Sequence, residues 1–71
     1  MVKDTEFIDK CESAIDSAVE QGYIAESGSK RSISNNLWEI MEFEFDDDEI
    51  NQIFESGKDK QAVQIMFDHI Q

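Results

Sequence analysis

Phe7, Ile8, Cys11, Ala14, Ile15, Ala18 and Val19 recur at three- and four-residue steps, the period of one face of an α-helix, and they predict a helix from about Asp4 to Gln21. Asp4 is placed to cap its start. Gly22 supplies the left-handed residue that ends it, and Tyr23 with Ile24 can fold back as the apolar contact after such a stop. No proline interrupts the chain and no stretch reads convincingly as a strand. The expected fold class is therefore all-α, a small three- or four-helix bundle.

The remaining elements follow from the same signals. Residues 25–32 form a polar loop in which Gly28 and three serines disfavour regular structure. A second helix can start at Ser32 or Ser34 and present Ile33, Leu37, Ile40 and Met41 inward. Residues 42–45 alternate acid and phenylalanine, which suits either a continued helix or a short extended link. Asp46, Asp47 and Asp48 offer N-cap and first-turn carboxylates to a third helix bearing Ile50, Ile53 and Phe54, closed by Gly57. A fourth runs from about Lys58 or Asp59 to Ile70, with Ala62, Val63, Met66, Phe67 and Ile70 on one face.

At 71 residues, one domain spanning 1–71 is the sensible expectation, because a chain this short has no material for a second core. Hydrophobic residues at 39%, with seven aromatics, set it apart from disordered acidic tails and favour a folded domain. Cys11 is the only cysteine, so neither an internal disulfide nor a cysteine-based metal cage is available, and its place on the apolar face suits a small hydrophobe. No secretory signal pattern and no apolar run of about 18 residues is present, which makes a cytoplasmic protein without a membrane span the default.

Charge is the functional signal. The chain carries a net −11, and from Ser32 to Gly57 it runs 26 residues without Lys or Arg while holding eight carboxylates. On a helical wheel, Asp9, Glu12, Asp16 and Glu20 fall within one stripe about 80° wide, opposite the apolar face. Neighbouring carboxylates stand roughly 5 to 6 Å apart, comparable to successive phosphates on one nucleic-acid strand. Like-charged neighbours four residues apart each lose a few tenths of a kcal/mol, a local inconsistency that points to function. The alternative is a merely solvated negative face.

A second cluster, Glu39, Glu42, Glu44, Asp46, Asp47, Asp48 and Glu49, is interleaved with Trp38, Phe43 and Phe45, which fall off the apolar stripe of their helix. Exposed, these three rings would anchor a partner that the carboxylates steer; alternatively, a small core folds two of them in. Ile65 is likewise off the main face of the last helix, leaving room for a homodimer contact.

Other chemistries fit less well. A calcium loop counted from Asp46 needs glycine at its sixth position, where Asn51 stands. His69, the only histidine, has no second His or Cys with which to hold a metal, and suits a surface or helix-end role. Nothing selects a catalytic pair among so many carboxylates, and a bundle of this size seldom encloses a reaction pocket. Neither enzymatic activity nor a cofactor is expected.

Two resemblances bear on function. The run Leu37-Trp38-Glu39-Ile40-Met41-Glu42-Phe43-Glu44-Phe45-Asp46, with the acidic helix after it and Ala62 to Ile70, looks like the second half of acyl carrier proteins. That resemblance implies a carrier-like domain whose phosphopantetheine serine follows an Asp; here the region reads Lys30-Arg31-Ser32-Ile33-Ser34, and the one Asp-Ser pair, Asp16-Ser17, lies in the first helix. In size and charge the whole chain is similar to small acidic inhibitors, many of them phage-encoded, that imitate DNA. This second resemblance implies a protein that binds a basic nucleic-acid-binding partner, not nucleic acid itself, and blocks its site. The other alternative is a small acidic regulatory or assembly subunit.

Overall fold

The computed structural model describes residues 4–25 and 28–71. The expected cap from the Asp4 side chain and the middle of the 25–32 loop lie outside the described residues. Five helices follow in order: α1 (Asp4–Gln21), α2 (Lys30–Asn35), α3 (Leu37–Met41), α4 (Asp47–Glu55) and α5 (Asp59–His69). No strand occurs among the described residues, so the fold is all-α. α1 packs against α5 and α3, and α2 against α5 and α3. None of the helices is long and apolar enough to cross a membrane.

Every helix contributes to one core. α1 supplies Cys11, Ala14, Ile15 and Ala18; α2 and α3 supply Ile33, Leu37, Ile40 and Met41; α4 gives Ile50 and Ile53, and α5 gives Ala62 and Met66. Each fully buried Ile or Met contributes about 1.5 to 3 kcal/mol by leaving water. Ala14, Ala18 and Ala62 carry nothing beyond Cβ, which suits close approach of α1 and α5.

α1 ends at Gly22 as its sequence predicts, although Tyr23, expected to fold back with Ile24, stays 55% exposed. Gly22 has φ 85°, its N–H donates to Val19 O at 3.1 Å, and Tyr23 N–H donates to Ala18 O at 2.9 Å. Those two bonds satisfy carbonyls the last turn leaves open, and Ile24 turns inward behind them to 5% exposure. α4 ends in the same way at Gly57, with φ 81° and bonds from Gly57 N to Phe54 O and from Lys58 N to Ile53 O.

The middle of the chain departs from expectation in three places. The second helix starts earlier than Ser32 or Ser34, at Lys30, because Ser29 caps it by accepting from Ser32 N–H at 3.2 Å. It is also two helices rather than one. Asn36 turns its side-chain amide onto Ser32 O at 2.9 Å, and its backbone sits at φ −113°, ψ 17°, which ends α2 and starts α3 one residue on. The backbone N–H of Asn36 is itself shared between Ser32 O and Ile33 O, both at 3.2 Å, the bifurcated bond common at a helix end. Ile33, Leu37, Ile40 and Met41 nevertheless all stay buried across the break.

Residues 42–45 are neither continued α-helix nor extended link. Glu44 and Phe45 both donate to Met41 O, at 3.0 and 2.8 Å, so the chain closes into a turn. That turn swings Phe45 into the core at 8% exposure and lays Phe43 against it. Phe45 is thus not an exposed anchor, and Phe43 is only partly available; a small core has taken both rings. Phe54, expected inside, is 37% exposed.

Candidate functional site

The α1 stripe stands on the surface as the wheel places it, with Asp9, Asp16 and Glu20 exposed and Glu12 half-buried. Its centre is occupied by a residue from the far end of the chain. His69, in the last turn of α5, holds Nε2 3.1 Å from both carboxylate oxygens of Asp16 and Nδ1 3.7 Å from Glu12 Oε2. The imidazole therefore bridges two of the four stripe carboxylates and ties α5 to α1. Sequence gave no signal for it, since the partners stand 53 residues apart.

All seven carboxylates of the second cluster, Glu39, Glu42, Glu44, Asp46, Asp47, Asp48 and Glu49, are exposed. Several also serve the fold. Asp46 Oδ1 accepts from Glu49 N–H at 2.9 Å while Glu49 Oε1 accepts from Asp46 N–H at 3.1 Å, a reciprocal capping box that satisfies open donors at the start of α4. Asp47 and Asp48 in the first turn complement the positive end of the helix dipole. Glu42 Oε2 accepts the indole N–H of Trp38 at 3.0 Å. Glu39 and Glu44 have no such internal use among the described contacts.

The two acidic regions do not merge into one track. Lys10 Nζ reaches Glu49 Oε2 at 3.5 Å, and Lys10 lies about 80 to 160° round α1 from the four stripe residues. The Glu49 end of the cluster thus docks on a different side of α1 from the stripe.

Lysines in this fold turn mainly to rings. Lys10 stands 5.2 Å from the centre of Phe45, Lys30 5.6 Å from Phe67, and Lys58 5.4 Å from Phe7. Among the described residues the Lys10–Glu49 contact is the one ion pair that a lysine or arginine makes, and it is exposed and worth no more than about 1 kcal/mol. Most surface carboxylates consequently keep their full field.

Trp38 and Phe54 form the exposed aromatic feature that remains. Their rings stack at 5.7 Å and 16°, and each residue is 37% exposed. Tyr23 and Phe43 meet edge to face at 5.5 Å. An open hollow of about 340 Å³ is bordered by Phe7, Ile8, Gln61, Gln64 and Ile65, so Ile65 does border surface, though it is only partly exposed and packs on the core. A larger open hollow of about 600 Å³ lies along α4 beside Phe45, Glu49 and Lys58.

Cys11 has no exposed surface, and burial, with a smaller push from Glu12, raises its thiol from 9.0 to about 12. It remains an uncharged thiol, a poor nucleophile and a poor ligand. Among the described residues no three His, Cys, Asp or Glu side chains converge as metal ligands would. Comparison with protein-family models, curated proteins and solved structures gives no match.

Proposed function

We propose that this chain is a DNA-mimicking interaction protein, which occupies the basic groove of a nucleic-acid-binding partner and keeps that partner from DNA or RNA. The observation that carries it is the disposition of cations: among the described contacts Lys30 and Lys58 lie over Phe67 and Phe7, and Lys10, over Phe45, reaches only Glu49 of the central cluster, so most of the stripe and cluster carboxylates have no lysine or arginine partner. A surface that serves only solubility would gain from mixed signs and i,i+4 ion pairs. This one instead presents carboxylates to attract cationic side chains, steering the encounter and replacing phosphates on contact.

Asp46 and Glu49 hold the α4 cap, so the test substitutes residues without that duty. Asp9→Asn, Asp16→Asn and Glu20→Gln neutralise three of the four stripe carboxylates; Glu39→Gln, Glu44→Gln and Asp47→Asn neutralise three of the seven in the cluster. Proteins captured from a host lysate on the wild-type chain should elute steeply with salt, be displaced by duplex DNA, and be lost from one or both neutralised sets. Retention of the same captured proteins by both sets, with an unchanged salt profile, would remove the mimicry proposal.

A second reading is favoured by the apolar hollow at Phe7, Ile8 and Ile65, with Ile8 39% exposed. An assembly subunit or homodimer held there would bind almost indifferently to salt. Ile8→Glu would abolish such binding and leave electrostatic capture intact.

A further inference from the structure

We propose that the Trp38–Phe54 stack is the anchor for an arginine side chain of the basic partner. The inference rests on the acidic-interaction function above and adds to it a named contact and a preference between cations. Phe7, Phe45 and Phe67 each have a lysine of the same chain over them. The Trp38–Phe54 pair has none among the described contacts, although both residues are more than a third exposed and indole is the strongest of the cation-binding ring systems.

The site is also held ready. One contact packs the indole nearly parallel to Phe54, and another donates its N–H to Glu42 at 3.0 Å, so two independent interactions from α3 and α4 fix the ring before any partner arrives. Little side-chain freedom is left to lose on binding. Charge completes the complementarity. Glu42, which accepts the indole N–H through Oε2, carries a second oxygen, Oε1, with no partner among the described contacts. A planar guanidinium can lie against the exposed rings and still donate to a carboxylate in its own plane; a lysine ammonium offers a point charge with no flat face.

The probes are nona-arginine and nona-lysine, matched in charge, titrated at low salt into the full chain. Trp38 is the only tryptophan and reports directly. Nona-arginine should shift its emission and bind about three- to fivefold more tightly than nona-lysine. In Trp38→Leu, followed by anisotropy of labelled peptide, that preference should fall below about twofold while salt-dependent binding of both peptides persists. Phe54→Leu, which retains the indole, should reduce the preference in the same direction, and far-UV circular dichroism checks that each variant is folded. Equal binding of the two peptides by the wild type, or a preference that survives both substitutions, overturns the arginine anchor and leaves the acidic-surface function standing. Failure of the wild type to bind either peptide at low salt overturns both.

Discussion

Cys11 offers a quantitative check on how tightly the core excludes water. Its thiol is raised from 9.0 to about 12 because the thiolate would be stripped of water between α1 and its neighbours, with the Glu12 carboxylate adding a smaller repulsion. The unfolded chain loses this proton near pH 9 and the folded chain keeps it to about pH 12, so between those values the folded state binds more protons. Stability then falls as pH rises, by about 1.4 kcal/mol for each unit across the window, and is undiminished below it. A chain of this size has roughly 4 to 10 kcal/mol in total, so the loss is large on that scale.

The comparison that isolates it is wild type against Cys11→Ala, in urea unfolding followed by Trp38 emission and far-UV circular dichroism. Near pH 7.5 the variant should be less stable by about 1 kcal/mol, from the contacts a buried sulfur leaves behind. Near pH 10.5 the wild type should have lost about 2 kcal/mol that the variant does not lose, reversing their order. Every other ionisation is common to both proteins and cancels. A stability gap that stays constant from pH 8 to 10.5 would refute the argument, because it would mean that Cys11 ionises as easily inside the fold as outside.

Other consequences are simpler to measure. Asp46→Ala removes one side of the α4 capping box and should cost about 1 kcal/mol in a thermal melt, whereas Asp46→Asn, which can still accept from Glu49 N–H, should cost only a few tenths; equal losses would contradict the capping role. Gly57→Ala meets no atom within 4 Å but forces a side chain onto φ 81°, so a loss of about 1 to 2 kcal/mol is expected, and a neutral result would mean the turn can relax. A double-mutant cycle between His69 and Asp16 should give a coupling below about 1 kcal/mol, since both side chains are solvent-accessible. A larger value would show that solvent screens this bridge less than its exposure implies.

What the sequence discloses here is what neighbouring residues decide among themselves. α1 and its glycine stop were legible because periodicity, a left-handed residue and two backbone bonds all lie within a few positions of one another. The Asp46 cap was legible for the same reason. The break at Asn36 was not, since it lies in the φ and ψ of one residue, and propensity alone does not distinguish that from an uninterrupted turn. Phe43 and Phe45 followed no period because they sit in an irregular turn, where a wheel assigns no face. The exposed stripe on α1 could be drawn from phasing, but not the imidazole at its centre, nor the lysines over the phenylalanines, nor the meeting of Trp38 with Phe54. Those contacts belong to tertiary packing.

The interruption at Asn36 has a kinetic consequence. α2 and α3 have six and five residues, too short to hold a helix by backbone cooperativity, so their order depends on the burial of Ile33, Leu37, Ile40 and Met41. Any opening that exposes those four side chains releases both helices at once. Amide hydrogen exchange should accordingly show residues 30–41 losing protection as a unit, ahead of the middle of α1, and Trp38 would lose its fixed place in the same event. A partner that clamps Trp38 would slow exchange as far away as Ile33, reporting its own arrival through amides it never touches.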